Sequence, residues 1–188
     1  MEYSSGDDKI ELIKKVEHLK KKIFSFYSEF SEDAFFQVPT KGWSPAENLN
    51  HLSKVTNSLT MSFFIPKFFT SLIFGKSKVE SRSFQEMSRL YLALLKEGKD
   101  SGPFAPRREK PIGSKRQMDL LSAWNISIEK YGEVLNHWQE QDLDSNLVFH
   151  PFMGKITSRE MFMVGLLHPI HHTKIVSERT GRSVQFFD

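Results

Sequence analysis

Three histidines in this chain stand where they could share a metal ion. His51 lies early in one predicted helix, and His168 and His172 lie late in another. An i,i+4 pair projects from one face of a helix about one turn apart, close enough for both rings to reach a single ion. That spacing alone leaves a second reading open, two partly exposed surface histidines. The third residue tips the balance. Three neutral imidazoles aimed at one point hold a divalent ion and leave coordination positions free, which is the arrangement of a catalytic site rather than a closed structural one.

Such a site needs helices of fixed phase, and the sequence marks where they start. Ser44-Pro45-Ala46-Glu47 is a capping box with proline at the first helical position, where its missing N–H costs nothing. Thr157-Ser158-Arg159-Glu160 is a second box, with Ile156 and Met161 at the staple positions, and Gly181 stops that last helix. Two further helices follow from heptad-like seams. Leu12, Val16, Leu19, Ile23, Phe26 and Phe30 predict a helix over roughly 8–31, and Leu121, Trp124, Ile128, Tyr131, Leu135 and Trp138 one over roughly 115–140. Narrow seams suit helices packed nearly parallel or antiparallel, so the expected fold is all-α, a four-helix bundle in one domain spanning 1–188.

Helical rise then sets the level of the ligands. His51 lies about 10 Å into its helix, and His172 about 12 Å before the end of the last one, at 1.5 Å per residue. The two come level only if these helices run antiparallel. Between the second and third helices lies a crossover over roughly 76–117, with a short helix predicted for Ser83 to Lys96 and irregular chain from Gly98 to Gly113. A connection this long lets the third helix start back at the other end, which gives an up-down-down-up bundle and the antiparallel pairing the histidines require.

Gly42-Trp43-Ser44-Pro45-Ala46-Glu47-Asn48-Leu49-Asn50-His51-Leu52 resembles the first motif of the DinB-like (YfiT-related) metalloenzyme superfamily. His168-Pro169-Ile170-His171-His172-Thr173-Lys174-Ile175, with Gly154-Lys155-Ile156-Thr157 opening its helix, resembles the second. The resemblance covers roughly 8–60 and 115–181. It implies an up-down-down-up four-helix bundle with a divalent metal on His51, His168 and His172, and a homodimer. Relatives include transferases that use low-molecular-weight thiols, so it also implies a thiol-dependent S-transferase acting on a small molecule.

A metal with three imidazoles and no protein anion keeps its full charge. It lowers the pKa of bound water toward about 7 or holds a thiol as thiolate. A metal-dependent hydrolase and a thiol transferase are therefore both expected chemistries. The alternative is a non-catalytic, stress-related binding or dimerisation module with a vestigial or sensory metal site. Three imidazoles suit zinc, nickel and iron alike. No other catalytic motif is present, and Glu47 and Glu160 are engaged by their capping boxes, so no general base is assigned. Phe104, Arg107 and Arg108 in the crossover are candidates to cover the metal and grip a carboxylate, or else a solvated loop tip.

Pro169 inside the last helix predicts a kink, with Gly165 four residues earlier easing it. His171 faces about 100° from His172 and reads as supporting or exposed. His18, His137 and His150 have no partner at ligand spacing.

Bulk properties narrow the partners. With 26 basic and 23 acidic residues the net charge is +3 over 188 residues, and the lysines at 14, 15, 20, 21 and 22 read as the wet face of a helix, so no nucleic acid is expected. There is no cysteine, which excludes disulfides, thiolate ligands and a cysteine nucleophile. The acidic, polar N-terminus is not a secretory signal, and a cytoplasmic location is expected. The longest apolar stretch, Met61 to Phe74, is broken by Pro66 and Lys67 and falls short of the roughly 20 residues of a membrane span, so no membrane partner is expected. Its Phe63, Phe64, Phe68, Phe69 and Phe74 read as core or as a dimer face.

Overall fold

The computed structural model describes residues 7–96, 105–110 and 114–187. Four long helices form the bundle: α1 (Lys9–Ser28), α3 (Pro45–Ser62), α6 (Ser114–Val134) and α8 (Ser158–Thr180). Shorter helices fill the connections: α2 (Glu32–Phe36), α4 (Lys67–Phe74), α5 (Phe84–Lys96) and α7 (Glu140–Ser145).

Both predicted capping boxes are made in full. Ser44 Oγ accepts from Glu47 N at 3.1 Å while Glu47 Oε2 accepts from Ser44 N at 2.9 Å. The Thr157–Glu160 box repeats this at 3.2 and 3.0 Å. Each satisfies two backbone donors that a helix start leaves unpaired. Gly181 closes α8 in the left-handed region, at φ 67° and ψ 13°. These devices fix where α3 and α8 begin and hence the phase of every side chain they carry.

The seams are buried as their periodicity requires, and one continuous core includes Leu12, Val16, Leu19, Ile23, Leu121, Trp124, Ile128 and Tyr131. The α6 seam buries fully but on three kinds of backbone. The helix ends at Val134, a 3-10 turn covers Leu135–His137, and Trp138 follows in extended conformation. The turn swings the Trp138 ring to within 5.6 Å of Phe63, with Lys67 Nζ 4.8 Å from the indole.

Helix directions follow from contacts at their ends. Gln117, at the start of α6, donates to Phe30 O beyond the end of α1, so these two run antiparallel. Phe63, at the end of α3, meets Tyr131 late in α6 and Phe162 early in α8. So α3 and α6 run parallel and α8 returns against both, which is the up-down-down-up order.

One element was not legible in the periodicity. Strands β1 (Leu147–His150) and β2 (Gly154–Thr157) pair antiparallel and deliver the chain directly into the Thr157 cap. His150 Nδ1 accepts from Phe152 N and Met153 N at the hairpin turn. The phenylalanine stretch is split, with Phe63 in the core and Phe64, Phe68 and Phe69 exposed.

The crossover is tied down at its start. Arg82 grips Glu160 through both carboxylate oxygens, at 2.7 and 3.1 Å, and its backbone N–H adds a third bond at 3.0 Å. Burial opposes the ionised form of Glu160, but these bonds prevail and hold its carboxyl below the usual range. The clasp lays α5 along α8.

The helical backbone of α8 continues through Pro169. Gly165 serves a purpose other than easing a bend. A Cβ there would lie 2.1 Å from Tyr131 Oη, which donates to Phe162 O at 2.9 Å while the Tyr131 ring stacks on Phe162 at 4.5 Å. Gly165→Ala is therefore expected to destabilise the fold by about 1–3 kcal/mol, the usual overpacking range. Urea unfolding measures this, and an unchanged midpoint would contradict the close approach.

Candidate metal centre

Antiparallel α3 and α8 bring His51, His168 and His172 together in the interior of the bundle. One ring nitrogen from each lies within 4.8 Å of the other two, as a shared ion requires. The nearest pair is His51 Nε2 and His168 Nε2, at 3.0 Å. Tetrahedral coordination at about 2.0–2.1 Å per nitrogen would place ligands about 3.3 Å apart, close to the separation of this nearest pair.

The outer ring nitrogens have their own partners. Asn48 donates its Nδ2 to Trp43 O and Ser44 O, at 3.2 and 2.9 Å. Carbonyls only accept, so the amide orientation is fixed and Oδ1 faces His172 Nδ1 at 3.2 Å. His172 must then donate from Nδ1, which leaves Nε2 as a lone pair. Tyr91 Oη lies 2.9 Å from His168 Nδ1 and does the same for that ring when it accepts. Burial pushes the Tyr91 phenol up, so it stays protonated.

Electrostatics keep the His168 and His172 rings neutral. Burial, and then the neighbouring imidazoles, hold His168 and His172 well below the ordinary histidine range. Neutral rings are the form that binds metal. The Trp43 ring closes one side, parallel to His172 at 5.7 Å and 4.9 Å from His51. The donor set fits a divalent ion: three imidazole nitrogens, with the tautomer of His172 set by Asn48.

The crossover reaches α3 one turn before His51, but its arginine is already engaged. Arg108 pairs with the buried Glu47 at 3.3 Å, and Glu109 N also donates to that carboxylate. Glu109 in turn holds Asn50 and Arg116. The expected carboxylate grip by Arg108 thus gives way to a structural pair that locks the crossover to α3. Arg107 is exposed and Phe104 lies outside the described residues. His171 meets the Tyr91 ring edge-on at 6.4 Å. His18 packs on Phe187, with Nε2 buried and without a hydrogen-bond partner, and His137 is exposed on its turn.

Sequence reasoning missed three residues of this centre: Trp43, Asn48 and Tyr91. The first two sit inside the quoted motif without an assigned role. Tyr91 carried only a faint signal, its i,i+4 spacing from the equally buried Met87 in a short helix.

No family model matches the sequence, and no curated protein matches it either. Two solved structures share its architecture. One is YfiT from Bacillus subtilis, described as a probable metal-dependent hydrolase with an unusual four-helix bundle topology. It has a TM-score of 0.57 and 17% identity over 97% of this chain and 93% of that one. The other is the colibactin self-resistance protein ClbS in complex with double-stranded DNA, with a TM-score of 0.55 and 13% identity over 97% of this chain and all of that one. The fold expected from the DinB-like resemblance is thus the fold observed.

The second neighbour corrects one expectation. A balanced total charge does not exclude nucleic acid, because ClbS holds double-stranded DNA on this same fold. Phosphate contact depends on local patches of charge rather than on the sum over the chain.

Removing a ring's outer partner tests the centre. Tyr91→Phe and Asn48→Ala are each expected to weaken divalent-metal affinity by about 10–100-fold, as loss of such partners does elsewhere. Competition against a chromophoric chelator measures it, and wild-type affinity in both variants would contradict the role given to these side chains.

Proposed function

We propose that this chain, which has the DinB-like (YfiT-related) four-helix fold, is a divalent-metal-dependent hydrolase of a small molecule with His51, His168 and His172 as its ligands. The observation that supports this reading most is the convergence of three imidazole nitrogens within 4.8 Å, with the outer nitrogens of two of them held by Tyr91 and Asn48. A bound divalent ion would supply Lewis acidity and a lowered pKa for water at the positions that three ligands leave open. The chain's own residues do the rest. Asn48 and Tyr91 fix the ring orientations, Trp43 excludes water from one side, and the Glu47–Arg108 pair holds the crossover beside the site. The description of YfiT as a probable metal-dependent hydrolase favours hydrolysis over thiol transfer.

The test is turnover of chromogenic esters, amides and phosphodiesters, p-nitrophenyl acetate among them, by tag-free protein. Activity should disappear with chelation, return with zinc or nickel, and fall at least about 100-fold in His172→Ala, as expected when a metal ligand is lost. Turnover indifferent to chelator would refute the reading. Glutathione-dependent consumption of chlorodinitrobenzene or maleylpyruvate without hydrolysis would establish the thiol transferase on the same ligands instead.

The DNA-bound neighbour favours a second reading, contact with duplex DNA. It predicts a retarded band with a short duplex at low salt, and affinity that falls steeply as salt rises. Absence of retardation at micromolar protein and low salt would remove it.

A further inference from the structure

Helix α4 is built inside out. Its polar Thr70 points inward, where Oγ1 donates to Asn146 Oδ1 at 2.6 Å. Phe68, Phe69, Leu72 and Ile73 are 71%, 54%, 72% and 67% exposed. With about 100° between successive residues, these four occupy one arc of about 140°, opposite Lys67, Thr70 and Phe74. An ordinary surface helix would turn that arc inward.

The apolar face extends beyond the helix. Met61, Phe64 and Ile65 are also exposed, and so is Phe149 of β1, whose ring stacks on Phe74 at 6.4 Å. From typical side-chain areas the patch amounts to roughly 900 Å². The largest patch on an ordinary monomer is about 300–600 Å².

The segment that carries most of the patch has charge of one sign. No Asp or Glu occurs between Glu47 and Glu80, while Lys54, Lys67, Lys76 and Lys78 do. Lys67 is paired with Asp142. Lys76 and Lys78 are exposed at the end of α4. Lys155 stands opposite Phe149 in the hairpin and donates to Phe74 O at 3.1 Å.

We propose that this face is a docking surface for an anionic lipid bilayer. The phenylalanine, leucine and isoleucine side chains enter the boundary between headgroups and acyl chains, and Lys76, Lys78 and Lys155 meet lipid phosphates. The helix lies in the membrane plane, since eight residues cannot cross a bilayer, and no described helix is long and apolar enough to do so. Charge favours lipid over a second copy of the chain. Two-fold pairing through this patch would gather lysines from both copies with few carboxylates to offset them. The metal centre stays clear, because His51 lies about 15 Å back along α3 from Met61.

The test is flotation of the full chain with vesicles of phosphatidylcholine alone or with 30% phosphatidylglycerol. Binding is expected only with the anionic vesicles. It should weaken roughly fivefold for each of Lys76→Gln and Lys78→Gln, and fall to background in the double variant F68S/L72S. Both apolar positions are exposed, so the double variant should keep its thermal midpoint and its metal content. Wild-type protein that does not float with anionic vesicles would overturn the proposal. So would binding unaffected by F68S/L72S, or a wild-type dimer that this variant converts to monomer, since a second copy would then cover the patch.

Discussion

Imidazoles from α3 and α8 converge at one point between the two helices, with His51 Nε2 and His168 Nε2 3.0 Å apart, and the fold is organised around that constraint. A third imidazole stands beside them, and Asn48 directs the lone pair of that ring inward. Burial, and then the neighbouring imidazoles, disfavour protonation of His168 and His172. A divalent cation held by the three rings would replace the His51–His168 contact with coordination, and the neutral imidazole is the form that would bind it. The rest of the molecule holds these three rings in register. Two capping boxes set the phases of α3 and α8, and the topology makes them antiparallel. The Arg82–Glu160 clasp lays α5 on α8 so that Tyr91 reaches His168.

Much of this is legible in the sequence itself, because the signals are local. Ser44 and Thr157 announce their helices through interactions three residues long, and Gly181 stops the last helix by a backbone conformation that glycine adopts at little cost. The seams of α1 and α6 are one-dimensional patterns. The level of His51 against His172 followed from helical rise together with one topological inference. What stayed hidden depends on contacts between distant segments. Tyr91 lies 77 residues from His168 and has no motif of its own. Gly165 reads as flexible until Tyr131 is seen above it, and Arg108 reads as a free cation until Glu47 is found beneath it. The hairpin before α8 is two four-residue strands, too short to show a period.

The chain places the metal centre and the apolar face near opposite ends of α3. The first turns of α3 carry Glu47, Asn48 and His51 toward the metal centre, and its last turn leads into the apolar face of α4. The same stretch that supplies the first ligand therefore begins a segment free of carboxylates and rich in exposed phenylalanine. Composition averaged over the chain conceals both features. A net charge of +3 describes neither the lysine-edged patch nor the neutral interior of the bundle.

The central claim is that His51, His168 and His172 act together on one ion, and cobalt(II) titration of tag-free protein tests it most directly. Visible absorption bands that saturate at one cobalt per chain, and that are lost in His51→Ala at an unchanged thermal midpoint, are the predicted result. A spectrum that remains that of the aquo ion throughout the titration, or bands retained by His51→Ala, would contradict the claim.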